Sequence, residues 1–570
     1  MIRCISTIAG LCLCLGMTTA NAQQPHHSEV IVAHPGLQAL KADIKYLLSL
    51  TSLQERAQEE NVIGIIEIME LGLDLNRPFR IDILSGMSPP GYLVSAAYAS
   101  MDDLLENIEG SGYLLQSMGQ NFWELLPPDQ GWFRILSGKK TAILSFTTPR
   151  NHALIKQLIL KMVDPLPAVK PMLEGGGNIA IQLANKAQTE ADQKLRRDSF
   201  AELRAVALDA LQKRPSESGT QFELRKEFAS IRIDEIERVV VEASTASAKI
   251  AMDKTMGNVT VSFDAAGIPN SSFANSLALY GKTIDIFASV KRAEDSVLLV
   301  RANTPIDDSR QRNGNKVIDL LQKDALGRMQ KDTKMSASEK EASESLVKGI
   351  AKVAKEGVAL GNLNGFAQTF LDAKGDFITY GAFRANNGSQ LDDILALVAK
   401  TGSGNQIKPA VAKIGDITIH EVTFAMGYFR PFDLIFEGKT GYIGTSKDVI
   451  WIGTGGTAVL EPLKAAISDL KEPADTKVIL DIEGNILPWV KRAKRVLESE
   501  PAPTTETEKT TRRDSIRRLS LAVEAFATKD DFRFGVNVKD GKSWGEIYYN
   551  TGMLRFVGKL LADFSEINLQ

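Results

Sequence analysis

Cysteine is the scarcest reactive residue in this chain: 570 residues hold three, Cys4, Cys12 and Cys14, all close to the start. The region that carries them, Met1 to Ala22, has the layout of an export signal. Arg3 supplies the basic end, Ile5 to Met17 the apolar middle, and Ala20-Asn21-Ala22 a small-residue cleavage site. Leucine precedes both Cys12 and Cys14, where lipoprotein processing wants a small residue, so simple cleavage is expected. Removing 22 of 570 residues leaves 548 without a thiol, which excludes disulfides, thiol catalysis and cysteine-held metals in an oxidising compartment. Histidine is also rare. His26, His27, His34, His152 and His420 are scattered with no ligand spacing, so no metal site and no cofactor is expected. Charge of one sign is missing too: the net −3 becomes −4 without Arg3, which argues against a general nucleic-acid or anionic-membrane binder. No later apolar run approaches the roughly 18 residues of a spanning helix, so the mature chain is expected to be soluble, with no membrane span.

A repeat is present. FITYGAFRANNGSQLDDILALV, Phe377 to Val398, has an edited copy in GYLVSAAYASMDDLLENI, Gly91 to Ile108. Each is an alternating strand with a central aromatic (Tyr98, Phe383), a serine, and a helix opened by two aspartates, Asp102/Asp103 and Asp392/Asp393. Further matches follow in the same order. The hairpins Trp132 to Phe146 and Tyr442 to Thr454 are each followed by a helix, and then by the strands NIAIQLAN from Asn178 and KVILDIEGN from Lys477. Arg-Arg-Asp-Ser recurs at Arg196 and at Arg512, each expected to open a helix, and each copy closes on a hairpin and a helix. The first closing hairpin turns near Gly257 and the second at Asp540-Gly541, a pair suited to a two-residue turn. A period near 300 residues is far beyond the roughly 20 to 50 of a solenoid, so this reads as tandem duplication.

Between these anchors, VIVAHPGLQALKADIKYLLSL from Val30 predicts a strand, a turn and a helix with Leu37, Leu40, Ile44 and Leu47 on one face. Ser296 to Asp308 opens the second copy in the same way. A lysine- and glutamate-rich helical stretch, Ser309 to Glu356, breaks at KDTKMSASEKE, and Ala210 to Phe228 reads as a solvated helix-loop-helix arm. Glu498 to Arg513 combines proline, threonine and charge without an apolar period and is expected to be a mobile loop. The segments HPGLQALKADIKYL, LGLDLNRPF and RPSESGTQFELRKEF resemble a family of uncharacterised exported proteins of planctomycete-type bacteria. The resemblance implies export and this architecture, and brings no activity with it.

Three patterns invite a chemical reading. The paired aspartates could serve as acid and base, but Ser100 and Ser389 precede them as S-x-x-D capping boxes, and helix neighbours point about 100° apart. GTGGTAVLE, Gly453 to Glu461, follows a strand and opens a helix, yet it lacks G-x-G-x-x-G spacing and a P-loop lysine. A tight turn capped by Thr457 is the expectation there. The third is a serine acyl-transfer set in the order found in penicillin-binding proteins and serine β-lactamases: S-x-x-K at Ser345 to Lys348, S-x-N at Ser403 to Asn405, and K-T-G at Lys439 to Gly441. In it Ser345 would be nucleophile, Lys348 base, Ser403 and Asn405 relay and substrate contacts, and Lys439 a carboxylate anchor. Ser345 sits mid-way along a charged amphipathic stretch, which is poor ground for a nucleophile.

The sequence therefore predicts an α+β protein of two tandem homologous modules, 30–280 and 282–570, each a mainly antiparallel sheet covered by helices. The function it favours is a non-catalytic exported binding or scaffolding protein of the cell envelope. Its partner is an envelope protein, a polymer or a lipid, not nucleic acid. The alternatives are the serine enzyme and a carrier of lipid or another hydrophobic ligand. A deep apolar cavity in the fold would favour the carrier, a flat exposed apolar patch a protein partner, and convergent titratable groups the enzyme.

Overall fold

The fold is taken from a computed structural model, which describes residues 28–568 apart from 53–54, 56–58, 69–71, 85–90, 127–130, 137, 147–150, 184–189, 215–216, 403, 424–439, 471–472, 476–477 and 500–504. It is α+β, with a large antiparallel sheet. The chain opens with β1 (Ser28–His34), α1 (Leu37–Ser49), α2 (Glu59–Ile68), β2 (Phe79–Leu84), β3 (Gly91–Ala97) and α3 (Met101–Gly110). A meander of β4 (Leu114–Ser117), β5 (Phe122–Leu126), β6 (Gly131–Leu136) and β7 (Thr141–Phe146) leads to α4 (His152–Lys161), α5 (Val169–Leu173) and β8 (Ile179–Leu183). An arm of two long helices, α6 (Glu190–Asp209) and α7 (Gly219–Glu242), precedes β9 (Ala243–Asp253), β10 (Asn258–Gly267) and α8 (Ser272–Leu279).

The rest of the chain runs through the same kinds of element. They are β11 (Leu298–Pro305), α9 (Asp308–Lys331), α10 (Ala337–Ala359), β12 (Asn362–Leu371), β13 (Phe377–Arg384) and α11 (Gln390–Leu395). Next come β14 (Gln406–Ile414), β15 (Ile417–Thr423), β16 (Thr440–Thr445), β17 (Val449–Thr454), α12 (Leu460–Asp469) and β18 (Val478–Asn485). A second arm, α13 (Leu487–Ser499) and α14 (Glu506–Ala525), then β19 (Asp531–Lys539), β20 (Lys542–Tyr549) and α15 (Thr551–Asn568) complete it.

The strands pair in one continuous order. It reads β4-β5-β6-β7-β3-β2-β1-β8-β9-β10, and then β20-β19-β18-β11-β12-β13-β17-β16-β15-β14. Adding ten to each number in the first run and reversing it gives the second. At the centre β10 runs antiparallel to β20, from Val259 opposite Tyr549 to Ala266 opposite Lys542.

Helices cross this seam. Leu277 of α8 packs on Ile479 and Val538 of the second half, while α15 sends Ala562 into a cluster with Ile44, Leu48, Val62 and Ile63 of α1 and α2. Thr551 Oγ1 donates to the Gly257 carbonyl at 2.6 Å. The hairpin turn at Asp540 and Gly541 has positive φ at both residues, as a two-residue turn demands.

Two expectations need correction. Glu506 to Arg513 is helical, because Thr505 and Glu508 form a reciprocal capping box that starts α14. The Arg-Arg-Asp-Ser copies do not correspond either. The first lies inside α6, the leading helix of its arm, and the second inside α14, the trailing one. Short polar helical tetrapeptides recur through surface composition alone.

Candidate functional site

A β-sheet exposes side chains alternately on two faces, and here the faces are unlike. One is packed. Leu93, Trp132 and Ile143 meet Ile155 and Ile159 of α4, and Phe366, Tyr380 and Trp451 meet Leu463 and Ile467 of α12. This packed face also holds buried polar groups, among them Arg80 paired with Asp82, Ser95, Gln368 and Asp481. The other face is the more open and the more uniformly apolar along its centre, although Val30, Ile83, Phe377 and Ile450 on it are buried.

The strand registers define rows of directly opposed residues on that open face. One runs Leu144, Val94, Ile81, Val32, Ile181 and Ala248, and continues across the seam through Phe263, Gly545 and Val536 to Leu480, Ala302, Gly365 and Phe383. It spans thirteen strands, which at about 4.8 Å each is roughly 55–60 Å. Beside it lies a second row, from Ile250 through Val261, Ile547, Phe534, Ile482 and Val300 to Ile452. Apart from Gly545, which lies under the Phe263 ring, none of these residues is fully buried; Phe383 is 38% and Ile452 42% exposed. At the seam Gly545 leaves room for the Phe263 ring, since a Cβ there would strike it, and Phe263 reaches Phe534 at 6.2 Å.

The long helices on this side are equally unfilled. Phe228 and Ile236 of α7 are exposed, as are Leu321 of α9 and Ile350 of α10. Helix α13 is amphipathic but buries no residue. In a filled core such residues fall below about a tenth of their free exposure, so this side keeps partly exposed apolar surface, most of it at Phe383, Ile452 and these helix positions.

Polar clusters lie at the margins. Between α8 and the start of α9 a cavity of about 650 Å³ is lined by Arg238, Ser276, Lys282, Asp307, Gln311 and Arg312. In it Arg238 donates to Asp307 at 2.8 Å and to the Ser276 hydroxyl, which itself donates to Asp307. Burial works against ionisation of Asp307. The Ser276 hydroxyl, the Arg310 amide and the Arg238 guanidinium outweigh it and bring the carboxyl down to about 2. Ser276, 3% exposed, faces an ionised carboxylate and has no imidazole beside it, so the trio is a clamp and not a nucleophile with its base. It heads a ladder of pairs between α7 and α9: Glu235–Arg310, Glu227–Lys316 and Glu223–Lys323.

His420, 4% exposed on β15, has Nε2 3.0 Å from Asp392 and 3.4 Å from Thr445, while Nδ1 has no partner. A relay needs the carboxylate and the hydroxyl on opposite ring nitrogens. Here both crowd one, and the group fastens α11 to the sheet.

The serine acyl-transfer residues are placed as follows. Ser345 is exposed in the middle of α10, and Lys348 pairs with Glu344 at 2.5 Å on the same helix. It is Ser343, one turn-face away, that lines a small cavity with Thr401 and Asn405. Ser403 and Lys439 lie outside the described residues, as do His26 and His27. His34 stacks on Phe79, and burial lowers its pKa against the pull of Asp43. His152 stacks on Trp132 beside Glu124. Among the described residues no three His, Cys, Asp or Glu side chains are placed to hold a metal.

At Gly455–Val459 the backbone departs from the expected cap. Gly455 (φ 109°) opens a 3₁₀ turn and no side chain, Thr457 included, caps it. A Cβ at Gly455 would strike the Phe377 carbonyl, so the glycine is there for a close backbone approach.

No protein-family model matches the chain, and no curated protein matches its sequence. Among solved structures, crystal form IV of TP0453 matches with a TM-score of 0.23 and 6% identity, over 42% of this chain and 77% of that one. A likeness at that level carries no argument about fold or activity.

Proposed function

We propose that this is an exported, non-catalytic binding protein that holds apolar, chain-like ligands such as acyl chains along the open face of its sheet. The observation that carries the reading is the continuous apolar row from Leu144 to Phe383, none of whose side chains the protein buries fully. Apolar surface of that extent on a chain with no helix apolar enough to cross a membrane, among the described residues, calls for a ligand or partner. Extended shape follows from the row. A compact ligand would need a cup, whereas a file of Val, Ile and Phe side chains suits a long chain lying across the strands. The layout of Met1 to Ala22 supports export.

The finer architecture belongs to the same proposal: two homologous modules, 30–280 and 282–570, joined edge to edge through β10 and β20. Duplication of one unit supports it, since the second ten strands repeat the pairing order of the first. Joining two units at the seam makes one row of twice the length.

The test is binding of a fluorescent long-chain fatty acid by the purified protein, with Ile547→Glu at the centre of the face as comparison. A charge there costs apolar contact without entering a packed core, so affinity should fall at least about tenfold while the fold persists. Equal affinity in the two proteins would remove the open face as the site.

A further inference from the structure

Helix α13 is the feature that the binding reading leaves unused. Its sequence LPWVKRAKRVLES puts Trp489, Val490, Ala493, Val496 and Leu497 on one side at i, i+4, i+7 spacing. Lys491, Arg492, Lys494 and Arg495 occupy the other, four cations against Glu498. None of its residues is buried, and Ala493, in the middle of the apolar side, is exposed. Trp489 stacks on the buried Phe377 at 4.3 Å, at the end of the open face, and its indole N–H is buried there without a partner.

The following helix extends the charge. Lys509, Arg512, Arg513, Arg517 and Arg518 stand against Asp514 over ten residues. Some of these cations are engaged: Arg495 with Asp376, Lys494 with Glu498, Arg517 with Asp563, and Arg512 with the carbonyls that end α13. Lys491, Arg513 and Arg518 are exposed and have no ion pair among the described residues. The leading helix of the first arm, α6, which stands where α13 does in the second, holds four basic residues (Lys194, Arg196, Arg197, Arg204) and five acidic ones (Glu190, Asp192, Asp198, Glu202, Asp209). The near-neutral charge of the whole chain conceals this local difference.

We infer that the α13–α14 arm, rooted on the sheet through Trp489, docks on an anionic lipid surface through its exposed cations. A helix of high amphipathicity and low mean hydropathy, basic on one side with Trp and Leu on the other, is the pattern that lies in a membrane interface. The inference extends the proposed function, because an arm rooted over Phe377 places one end of the apolar row against the bilayer from which a chain could enter.

The experiment is flotation of the full chain with phosphatidylcholine vesicles, with and without 30 mol% phosphatidylglycerol, set against a Lys491→Glu/Arg513→Glu/Arg518→Glu variant. Each basic residue at such a surface is worth about fivefold in partitioning, so the triple variant should lose at least about a hundredfold on the anionic vesicles. Binding by the unaltered chain should be confined to anionic vesicles and fall in 0.5 M salt. Equal binding to both vesicle types, no binding to either, or full binding by the triple variant would each overturn the docking surface. Fatty-acid affinity is measured separately without vesicles and should be the same in both proteins. Its absence in both would remove the apolar-ligand reading and leave the flotation result to decide the docking surface alone.

Discussion

After β3 the chain turns into α3 with Ser100 as a true cap, its hydroxyl accepting from the Asp103 amide at 3.2 Å. At the matching turn after β13, Ser389 is already helical in φ and ψ. Its hydroxyl donates to Asn387 instead, and Asp392 turns away to His420 and Thr445. Two stretches that look alike in sequence, in the same place in the same strand order, have separate polar wiring. The helical arms differ in the same manner. One is laddered to α9 by ion pairs, and the other is basic and tied down at fewer points. Strand register is held by many backbone bonds and side-chain contacts at once, so it survives drift in sequence. A cap or an ion pair involves two or three residues and is free to be rewired. Each half can then be probed against the other.

The largest expected difference lies between the two arms. Arg238→Ala leaves Asp307 ionised, mostly buried and short of its nearest cation, and should cost about 3 kcal/mol in denaturant unfolding. Arg517→Ala, which frees the better-exposed Asp563, should cost less than about 1 kcal/mol. The acid limb carries the same contrast. Since the folded-state Asp307 carboxyl titrates near 2, below its unfolded value, its contribution of about 2 kcal/mol is complete above about pH 4 and disappears as the pH falls to 2. In Arg238→Ala the folded-state pKa moves back toward the unfolded value, so this contribution should be smaller and the acid limb shallower. A variant with the acid limb of the unaltered chain would show that the clamp has no part in joining the halves.

Next comes the paired aspartate. Asp392→Ala strips a buried imidazole and the Thr445 hydroxyl of their shared acceptor, and thermal unfolding should report a loss of 1 to 2 kcal/mol. At Asp102, which is exposed in the first turn of α3, the same change removes only a helix-dipole interaction of about 0.5 kcal/mol. Equal losses would mean that the two turns are wired alike after all.

These differences mark where sequence reading stops. The hairpins, the helices of the first arm and the Asp540-Gly541 turn were legible because local rules of period and backbone conformation determine them. Pairing of β10 with β20 was not, since it joins residues nearly 290 positions apart and no local pattern encodes it. The open face was hidden for a different reason. In GYLVSAA the period of two separates Tyr92, Val94 and Ala96 from Leu93 and Ser95, but it does not say which set will be covered. In the fold the set containing Ser95 is buried and the set containing Val94 is half-open, the reverse of the usual assignment of serine to solvent. The basic side of α13 could be read from its spacing, but an apolar side that stays unburied becomes visible only once the neighbours are in place.

The smallest difference is the cleanest test of the capping contrast. An N-cap hydroxyl satisfies an amide that the helix cannot, so Ser100→Ala should cost about 1 kcal/mol. Ser389→Ala removes a hydroxyl that bonds to Asn387 on the surface, while the Asp392 amide keeps the Ser389 carbonyl at 3.1 Å, and it should change stability by less than about 0.3 kcal/mol. Alanine is also the better helix former, and because Ser389 already has helical φ and ψ, part of even that small loss is offset there. Both variants need only equilibrium unfolding in urea, with the slope compared to verify that the denatured state is unchanged. A cost at Ser389 as large as at Ser100 would mean that in solution its side chain does cap α11, and that the two halves retain this turn in common.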